Sequence, residues 1–370
     1  MPEYKEKLLI GICEKLQLTS GRYKLAEERY HTIADTIQDD YVFRNIKLEM
    51  YPHGSFRLKT TVRPLSSNEY DLDFVVEIPR NVQMTALDLY NHIYRILSND
   101  GVHDGMVEKK SRCIRVNYAN DFHMDIMPGQ VYNPYTREII VPDRELKYWY
   151  HHSNPIGYAN WFEQQAKTQI INEMMNSIPI YERTEPIADQ EIAKRLEPLR
   201  RAVQLIKRYR DIYCMKTKAE PVRSIVLCTL MGHISSSYSI DLNIISDFCL
   251  YVHSLIEENH GRPFEVKNPV VNEILTEKWQ ESKKNYMDFV RMMVSLEKDI
   301  QKLNNANTNN EIVPLLKKMF GENVTTTVIK EQAEGLLNAR NLGVLSAGPT
   351  GLLNMEGSGL FVKKNTFYGN

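Results

Sequence analysis

Three aspartates on two separate stretches of the sequence have the types and the spacing needed for metal-assisted chemistry. Asp71 and Asp73 stand two residues apart in Tyr-Asp-Leu-Asp-Phe-Val-Val, and Asp125 stands in His-Met-Asp-Ile-Met. Residues i and i+2 of a strand point to the same face, so the first two carboxylates can share one hard cation. A third carboxylate on a neighbouring strand would complete an oxygen-rich site for Mg²⁺, or for two such ions about 3.5–4 Å apart.

The pair formed by Asp71 and Asp73 also has a structural interpretation, because an Asp-x-Asp pattern on a half-exposed strand often only faces solvent. The surrounding leucine, phenylalanine and valines are those of a core strand, in which aspartate is depleted. Two aspartates on one face also repel each other, and a bound cation relieves that repulsion. Both observations favour a cation site. Asp121 has the same strand parity as Asp125 and is the second choice for the third carboxylate.

A glycine-serine pair supplies a candidate phosphate-binding turn. Gly54 and Ser55 follow a predicted strand and precede a polar, basic segment over 57–61. A glycine lets a phosphate approach the backbone closely, and a serine hydroxyl with free amides at a helix start can donate to its oxygens. Gly-Ser is common in turns, so its weight comes from standing sixteen residues before the first aspartate of the pair.

The elements that must position these residues alternate between helices and strands up to about residue 155. The apolar periodicity predicts the following elements. They are helices over 8–16 and 23–37, strands at 46–50 and 70–78, a helix over 87–97, and a hairpin of 113–118 with 122–127 that ends at Pro128. The aspartate pair therefore lies on the second strand and the third aspartate on the second arm of the hairpin.

Beyond residue 155 the pattern is helical. The predicted helices cover 158–176, 188–213, 224–235, 244–256, 272–303 and 313–320, with an asparagine-rich loop at 304–310. From Gly335 on, the chain carries 7 of its 17 glycines in 36 residues, which favours a flexible tail. We expect a catalytic core with N-terminal helices over 1–155, a helical lobe over 156–330 and a flexible tail over 331–370.

Composition excludes several classes of protein. The 370 residues include 46 basic and 47 acidic side chains, and this balance argues against a protein that coats nucleic acid. The five cysteines are odd in number and form no Cys-x-x-Cys, so neither a disulfide framework nor a zinc cluster is expected. No stretch approaches about 18 apolar residues, so we expect a cytoplasmic protein with reduced thiols and no membrane segment.

The motifs together resemble a known superfamily. The string from Pro52 to Pro64, followed by Glu69 to Val76, resembles the DNA-polymerase-β-like nucleotidyltransferases, and within them the bacterial relatives of cyclic GMP-AMP synthase. These are the CD-NTases of antiphage CBASS systems. The segment 123–128 is similar to their third-aspartate strand. The resemblance covers roughly residues 45–280, and one departure is Lys59, where the common form of the loop has glycine.

The helical half carries weaker matches to the same family. Lys207 in the segment 205–211 is similar to the family's lysine helix, and Ser224 in 221–225 is similar to the serine that follows it. The resemblance implies that Ser55, Lys207 and Ser224 hold the triphosphate of the substrate, with Gly54 shaping the turn. From the residues alone, Lys207 could instead belong to a solvated basic helix face, and Ser224 could be a plain helix N-cap.

The resemblance implies an α+β fold with a polymerase-β-like mixed sheet, flanking helices and a helical second lobe. It implies an enzyme that joins NTPs, ATP or GTP above all, into a cyclic di- or trinucleotide messenger for antiphage defence, releasing pyrophosphate. Asp71 and Asp73 would bind two Mg²⁺ ions, with Mn²⁺ as a substitute. Asp125 would bind the metal at the attacking hydroxyl and accept its proton.

Other readings stay open at this point. A related enzyme could add nucleotides to an RNA, a protein or a small molecule, although the neutral net charge weakens the RNA reading. A non-catalytic nucleotide-binding protein is the third. We expect no stable nucleic-acid complex. In part of the family a ubiquitin-ligase-like partner conjugates the C-terminal tail, and the ending Phe-Tyr-Gly-Asn fits that role. Spacing does not determine the bases, the linkage, the ring size, the activator or the oligomeric state.

Four histidines invite a metal reading, which magnesium's preference for oxygen ligands disfavours. They are His53, His123, His151 and His152, and we expect structural or solvent-facing roles for them.

Overall fold

A mixed sheet with helices on one side is followed by a helical lobe. The computed structural model describes residues 2–65, 70–118, 122–145, 150–167, 196–234, 241–347, 353–354 and 360–361. The first part contains α1 (Pro2–Leu16), α2 (Ser20–Gln38), β1 (Glu49–His53), α3 (Gly54–Arg57), β2 (Tyr70–Ile78), α4 (Ala86–Asn99), β3 (Val107–Lys109), β4 (Ile114–Tyr118), β5 (Phe122–Asn133), β6 (Glu138–Pro142) and β7 (Tyr150–Ser153).

The second part is almost entirely helical. It contains α5 (Pro155–Ala166), α6 (Pro198–Thr217), α7 (Ser224–Gly232), α8 (Asp241–Glu258), α9 (Glu277–Glu281), α10 (Lys283–Asn305), α11 (Asn309–Phe320) and α12 (Glu322–Asn341), followed by the short strands β8 (Ser346–Ala347), β9 (Leu353–Asn354) and β10 (Leu360–Phe361). None of the helices in the described ranges combines the length and the apolar character that crossing a membrane requires.

The large sheet has seven strands, and its central pair is parallel. The strand order is β1-β2-β5-β4-β3, with β6 paired to β5 and β7 paired to β6. Strands β2 and β5 run parallel, whereas their outer neighbours pair antiparallel. In β2 the residues Leu72, Phe74 and Val76 are fully buried, as the alternation predicted. The aspartates of β2 therefore lie on the opposite face from this core.

Two large hydrophobic cores lie beneath the two halves of the molecule. One is built by α2, α4 and one face of the sheet, and includes Tyr30, Phe74 and Ile126. The other is built by the helical lobe, and it also contains the buried stripe of α1 from Leu8 to Leu16. Helix α1 packs closely on α12, since a Cβ on Gly11 would come within 2.7 Å of Val328 Cγ1. The first N-terminal helix therefore packs with the helical lobe, not with the sheet.

Several predicted elements are confirmed, and the differences have physical reasons. The strand 70–78, the helix around Tyr90 and the hairpin of β4 with β5 are present. The prediction that Pro128 ends the second hairpin strand is wrong, because β5 continues to Asn133. Pro128 lies between two antiparallel partners: pairing with β4 ends at Ile126 and pairing with β6 begins at Gln130. A residue without an N–H is tolerated at such a change of partner.

Three further predictions need correction, two of them in the helical half. The single helix expected over 272–303 is divided into α9 and α10 by an extended residue, Ser282. The strand expected at 46–50 lies at 49–53. The flexible tail expected from residue 331 is corrected for 331–341, which form the second half of α12 despite the glycine at 335. The predicted helical segments 168–176 and 188–195, Asp121 and the tail beyond 361 lie outside the described residues.

Candidate active site

Strand register brings the three predicted carboxylates to one edge of one cavity. In the parallel pair β2/β5, Asp73 is the register partner of Asp125, and in β1/β2 it is the partner of His53. All three aspartates line a cavity of about 580 Å³. Gly54, Ser55, Lys207 and Ser224 line the same cavity from the turn after β1 and from the helical lobe. The structure thus brings the seven predicted site residues together, while their roles remain predictions.

The carboxylates repel one another. The pKa of Asp73 is raised to about 7, first by burial and then by the charges of Asp125 and Asp71, while Lys207 and Arg115 act in the opposite direction. A divalent cation among these oxygens would remove the repulsion, and carboxylate oxygens are the donors that Mg²⁺ prefers. The chemistry of this donor set therefore fits the predicted metal.

An arginine that the sequence analysis missed stands beside this donor set. Arg115 on β4 is the register partner of Asp125, and its Nε and Nη2 atoms donate to Asp125 at 2.7 and 2.8 Å. Nη2 also donates to Asp71 Oδ1 at 3.3 Å. With the side chains in these positions, no three acidic, imidazole or thiol groups of the described residues lie close enough together to hold a metal ion. The signal for Arg115 was available: it alternates with buried Ile114 and Val116 and thus faces the same way as the aspartates.

The turn after β1 depends on glycine at one position. Gly54 has φ +55°, and a Cβ there would come within 2.1 Å of Asp73 Oδ2. Both the left-handed backbone and the close carboxylate exclude a side chain. The turn then closes through hydrogen bonds from the amides of Leu58 to Gly54 and of Thr60 to Ser55. Lys59, where the resemblance pointed to glycine, is also left-handed, with φ +54°.

Lys207 does not belong to a solvated helix face. Its side chain is buried, and its Nζ donates to the carbonyl oxygen of Thr60 at 2.8 Å. Burial lowers its pKa. The neighbouring Arg208 is buried too and donates to the carbonyl oxygens of Phe320 and Arg63. The basic run on α6 therefore faces the inside of the molecule, which removes the solvated-face alternative for Lys207.

Ser224 is the first residue of α7, and Arg223, not Ser224, occupies the cap position. Its Oγ accepts a hydrogen bond of 3.0 Å from Arg210, which also donates to the carbonyl oxygen of Val222 at 2.9 Å. Arginine is only a donor, so the hydroxyl hydrogen of Ser224 remains available for an acceptor such as a phosphate oxygen. This geometry differs from a plain N-cap, in which the serine oxygen would accept from its own helix.

Two of the four histidines make contacts with glutamates away from the three aspartates. His151 contacts Glu273 at 3.0 Å, and His152 contacts Glu138 at 2.6 Å. His53 lines the cavity, and burial lowers its pKa to about 4, so its imidazole is neutral at pH 7. None of these contacts involves the three aspartates.

Comparison with known proteins gives concordant results. The model of the Second Messenger Oligonucleotide or Dinucleotide Synthetase domain matches residues 6–166. A c-di-GMP synthase from Roseivirga ehrenbergii is 31% identical over 376 residues, which cover 99% of this chain and 97% of that protein. The cyclic dinucleotide synthase CdnG of Bradyrhizobium diazoefficiens is 24% identical over 346 residues, which cover 88% of this chain and 82% of that protein.

A solved structure has the same fold as this chain. The structure of the Bradyrhizobium diazoefficiens CD-NTase CdnG in complex with GTP superposes with a TM-score of 0.73 and 22% identity. It covers 89% of this chain and 99% of its own. At this level of identity the match establishes the fold, and it confirms the predicted α+β architecture with a helical second lobe.

Proposed function

The chain belongs to the CD-NTase family of nucleotidyltransferases that make cyclic oligonucleotides, and we propose that its product is c-di-GMP, made from two molecules of GTP. The product follows from the full-length relative with 31% identity, whose name is c-di-GMP synthase. In the first step a ribose hydroxyl of one GTP attacks the α-phosphorus of the other, and in the second a ribose hydroxyl of the linear dinucleotide attacks the α-phosphorus of its own triphosphate. In each step the same changes follow. The bond to the β-phosphate breaks, and pyrophosphate leaves. The hydroxyl proton passes to a base.

A single observation supports this chemistry: one cavity is lined on one side by three carboxylates and on the other by a buried lysine and a serine hydroxyl. Carboxylates attract divalent cations, whereas Lys207 and Ser224 suit the oxygens of a triphosphate. Both sets line the same volume of about 580 Å³, which is within the range of small-molecule sites. Positioning and charge neutralisation are what nucleotidyl transfer needs.

We assign the metal to Asp71, Asp73 and Asp125. Two Mg²⁺ ions, or Mn²⁺ in their place, would lower the pKa of the attacking hydroxyl and neutralise charge on the triphosphate. Asp125, the register partner of Asp73 in the parallel pair, would accept the hydroxyl proton. We do not assign this role to His53, because its lowered pKa of about 4 makes it no stronger a base than a carboxylate.

We assign the triphosphate to the turn and to the helical lobe. Ser55 would donate to a phosphate oxygen from the turn that Gly54 shapes. Lys207 and Ser224 would donate from α6 and α7. Arg210 supports this arrangement, because its hydrogen bond to Ser224 Oγ leaves the serine hydrogen directed to an acceptor.

The test is to incubate the purified full-length protein and Mg²⁺ with radiolabelled GTP alone, ATP alone and both together, and to identify the products by mass spectrometry. We expect a phosphatase-resistant product with the mass of c-di-GMP from GTP alone, and none when Asp71 and Asp73 are both replaced by Ala. The exposed Glu281→Gln at the end of α9, outside the cavity lining, serves as a control of unchanged activity. A product that forms only with an added RNA, protein or small-molecule acceptor would contradict the proposal.

Two further expectations rest on family membership. We propose that the product signals in antiphage defence and that a ubiquitin-ligase-like partner conjugates the C-terminal tail. The residues concerned, 362–370, lie outside the described part of the chain. Deleting 367–370 should abolish partner-dependent conjugation without changing GTP turnover, and conjugation that survives the deletion would contradict the second expectation.

A further inference from the structure

The guanidinium of Arg115 and a divalent cation need the same oxygens. Arg115 donates two hydrogen bonds to Asp125, at 2.7 and 2.8 Å, and one to Asp71, at 3.3 Å. One nitrogen, Nη2, therefore spans two of the three carboxylates that we assign to the metal. Two positive groups cannot share these lone pairs at full strength, because each oxygen accepts in a limited number of directions and the cations repel each other.

The two contacts of Arg115 differ in strength. The contact with Asp125 is a bidentate, charge-assisted pair, and the Asp125 side chain is only 14% exposed. The contact with Asp71 is a single, longer bond to a side chain that is 66% exposed. An exposed ion pair of this kind is worth little, whereas a bidentate pair on adjacent strands is held by the sheet itself. The Asp71 contact is therefore the one that opens first.

Asp73 stands apart from this arrangement. The hydrogen bonds of Arg115 go to Asp125 and Asp71, whereas the carboxylate of Asp73 lies against the backbone of Gly54. A cation bound at Asp73 has Asp71 Oδ1 fully available only when Nη2 of Arg115 releases that oxygen. A cation that uses both Asp71 and Asp125 must therefore displace hydrogen bonds of Arg115, and this displacement weakens cation binding.

We propose that Arg115 is a positioning residue that holds the Asp125 carboxylate in place and competes with the divalent cation for Asp71. This inference rests on the proposed metal site. Its consequence is weak cation binding to the protein alone, and tighter binding once the triphosphate supplies additional oxygens. The arginine would thereby couple full loading of the site to the presence of substrate.

A matched comparison lies three residues away in the chain, just before β4. Arg112 also pairs with a buried aspartate, through a hydrogen bond of 2.6 Å from its Nε to Asp143. It is 36% exposed and its pair lies outside the residues that line the cavity. Arg112→Gln therefore removes an arginine–aspartate pair from the same segment without touching the three carboxylates.

The experiment measures Mn²⁺ binding to EDTA-treated full-length protein by electron paramagnetic resonance, without nucleotide. We expect Arg115→Gln to bind Mn²⁺ roughly fivefold more tightly than the natural protein, the factor that corresponds to an ion pair of about 1 kcal/mol. Arg112→Gln should bind like the natural protein. With a non-hydrolysable GTP analogue present, the gain in Arg115→Gln should shrink, since the natural protein then releases Asp71 as well.

Unchanged or weaker Mn²⁺ binding in Arg115→Gln would overturn the inference, because it would mean that the arginine assists the cation. Thermal unfolding in EDTA checks the fold of each variant. If Arg115→Gln does not fold, Arg115→Lys decides, because a lysine keeps the charge but cannot pair in two places; it should bind Mn²⁺ more tightly than the natural protein. If the double variant Asp71→Ala with Asp73→Ala, which keeps Arg115, still binds Mn²⁺ like the natural protein, the proposed metal site itself is wrong.

Discussion

The cavity has two walls that are built on different physical principles. The sheet wall consists of Gly54, Asp71, Asp73 and Asp125 with the turn at Lys59, and the helix wall consists of Lys207, Arg210 and Ser224. The sheet wall holds unfavourable features: two left-handed residues and carboxylates that repel one another. In the helix wall, by contrast, each cation already donates to a carbonyl or a hydroxyl oxygen.

This difference indicates where the molecule has traded stability for chemistry. Strain and like charges cost free energy in the folded protein and persist only where the surroundings enforce them. On the sheet wall, strand pairing enforces them, and a bound cation would relieve them. On the helix wall the cations are hydrogen-bonded to neutral oxygens and keep their positive charge, so that wall can receive phosphate oxygens with little rearrangement.

Replacing Gly54 by Ala should damage the sheet wall most. The added Cβ would lie 2.1 Å from Asp73 Oδ2, so the carboxylate must move. A displacement of this size at a reacting centre lowers kcat by about a hundredfold or more. Gly101→Ala is the matched control, since Gly101 is also left-handed, at φ +73°, but has nothing within 4 Å of the added atom. If both variants lose the same activity, backbone strain and not the contact with Asp73 is responsible.

Replacing Asp73 by Asn should stabilise the protein at alkaline pH in the absence of divalent cations. The pKa of Asp73 is raised from 3.8 to about 7, so the folded protein holds this proton more tightly than the unfolded chain. The resulting loss of stability is absent below about pH 3.8, grows as the pH rises, and is complete above about pH 7. It is on the order of 2–4 kcal/mol.

Denaturant titrations at several pH values in EDTA measure this effect. The difference in unfolding free energy between Asp73→Asn and the natural protein should be small near pH 4 and largest near pH 8. Added Mg²⁺ should reduce it, because the cation replaces the missing counter-charge. The exposed Asp104→Asn should show no such pH dependence, and a flat difference for Asp73→Asn would contradict the proposed repulsion.

Replacing Ser224 by Ala should weaken substrate binding, while Arg210 keeps its hydrogen bond to the carbonyl oxygen of Val222. The hydroxyl makes no cap bond to its own helix, so the loss is that of one hydrogen bond to phosphate, and KM for GTP should rise roughly tenfold. Steady-state kinetics measure it, with Ser246→Ala on α8 as the control. Because Arg210 acts through Ser224, Arg210→Gln should raise KM much less in the alanine variant than in the natural protein. Independent, additive effects would count against that link.

Replacing Lys59 by Gly should relieve strain in the sheet wall. Lys59 has φ +54°, a conformation that glycine adopts more readily, so the unfolding free energy should increase by about 0.5–1 kcal/mol. Lys218→Gly, at φ +59° in the C-cap of α6, is a control remote from the carboxylates. Thermal unfolding compares the two. If the unfolding free energy increases for Lys218→Gly but decreases for Lys59→Gly, the side chain of Lys59 stabilises the fold by more than its left-handed backbone destabilises it.

The sheet wall could be predicted from the sequence to a large extent. Strand periodicity placed Asp71 and Asp73 on one face, and the hairpin pattern placed Asp125 on a second strand of the same parity. Both are local regularities that are written in a few consecutive residues. Pro128 shows where this reasoning fails, because a proline that ends an isolated hairpin is tolerated in a strand that changes partner at that point.

The helix wall could be predicted only through resemblance. Nothing within the segment 205–211 distinguishes Lys207 from a solvated lysine, because its burial depends on Thr60, which lies 147 residues away in the chain. The bond between Arg210 and Ser224 and the packing of α1 on α12 are likewise products of long-range contacts. The second half of α12 was missed because the glycine-rich stretch 335–370 begins within it, although the helix contains only Gly335 and packs on α1.

The sequence by itself determined which side chains could do chemistry and which of them share a face, because side-chain direction in a strand follows from a period of two. Only the tertiary structure decided that Asp73 pairs in register with Asp125, that Arg115 reaches two of the three carboxylates, and that the lysine helix faces inward. The reason is that these relations depend on which strands and helices become neighbours. That choice is made by the burial of the whole apolar surface and by no single segment of the chain.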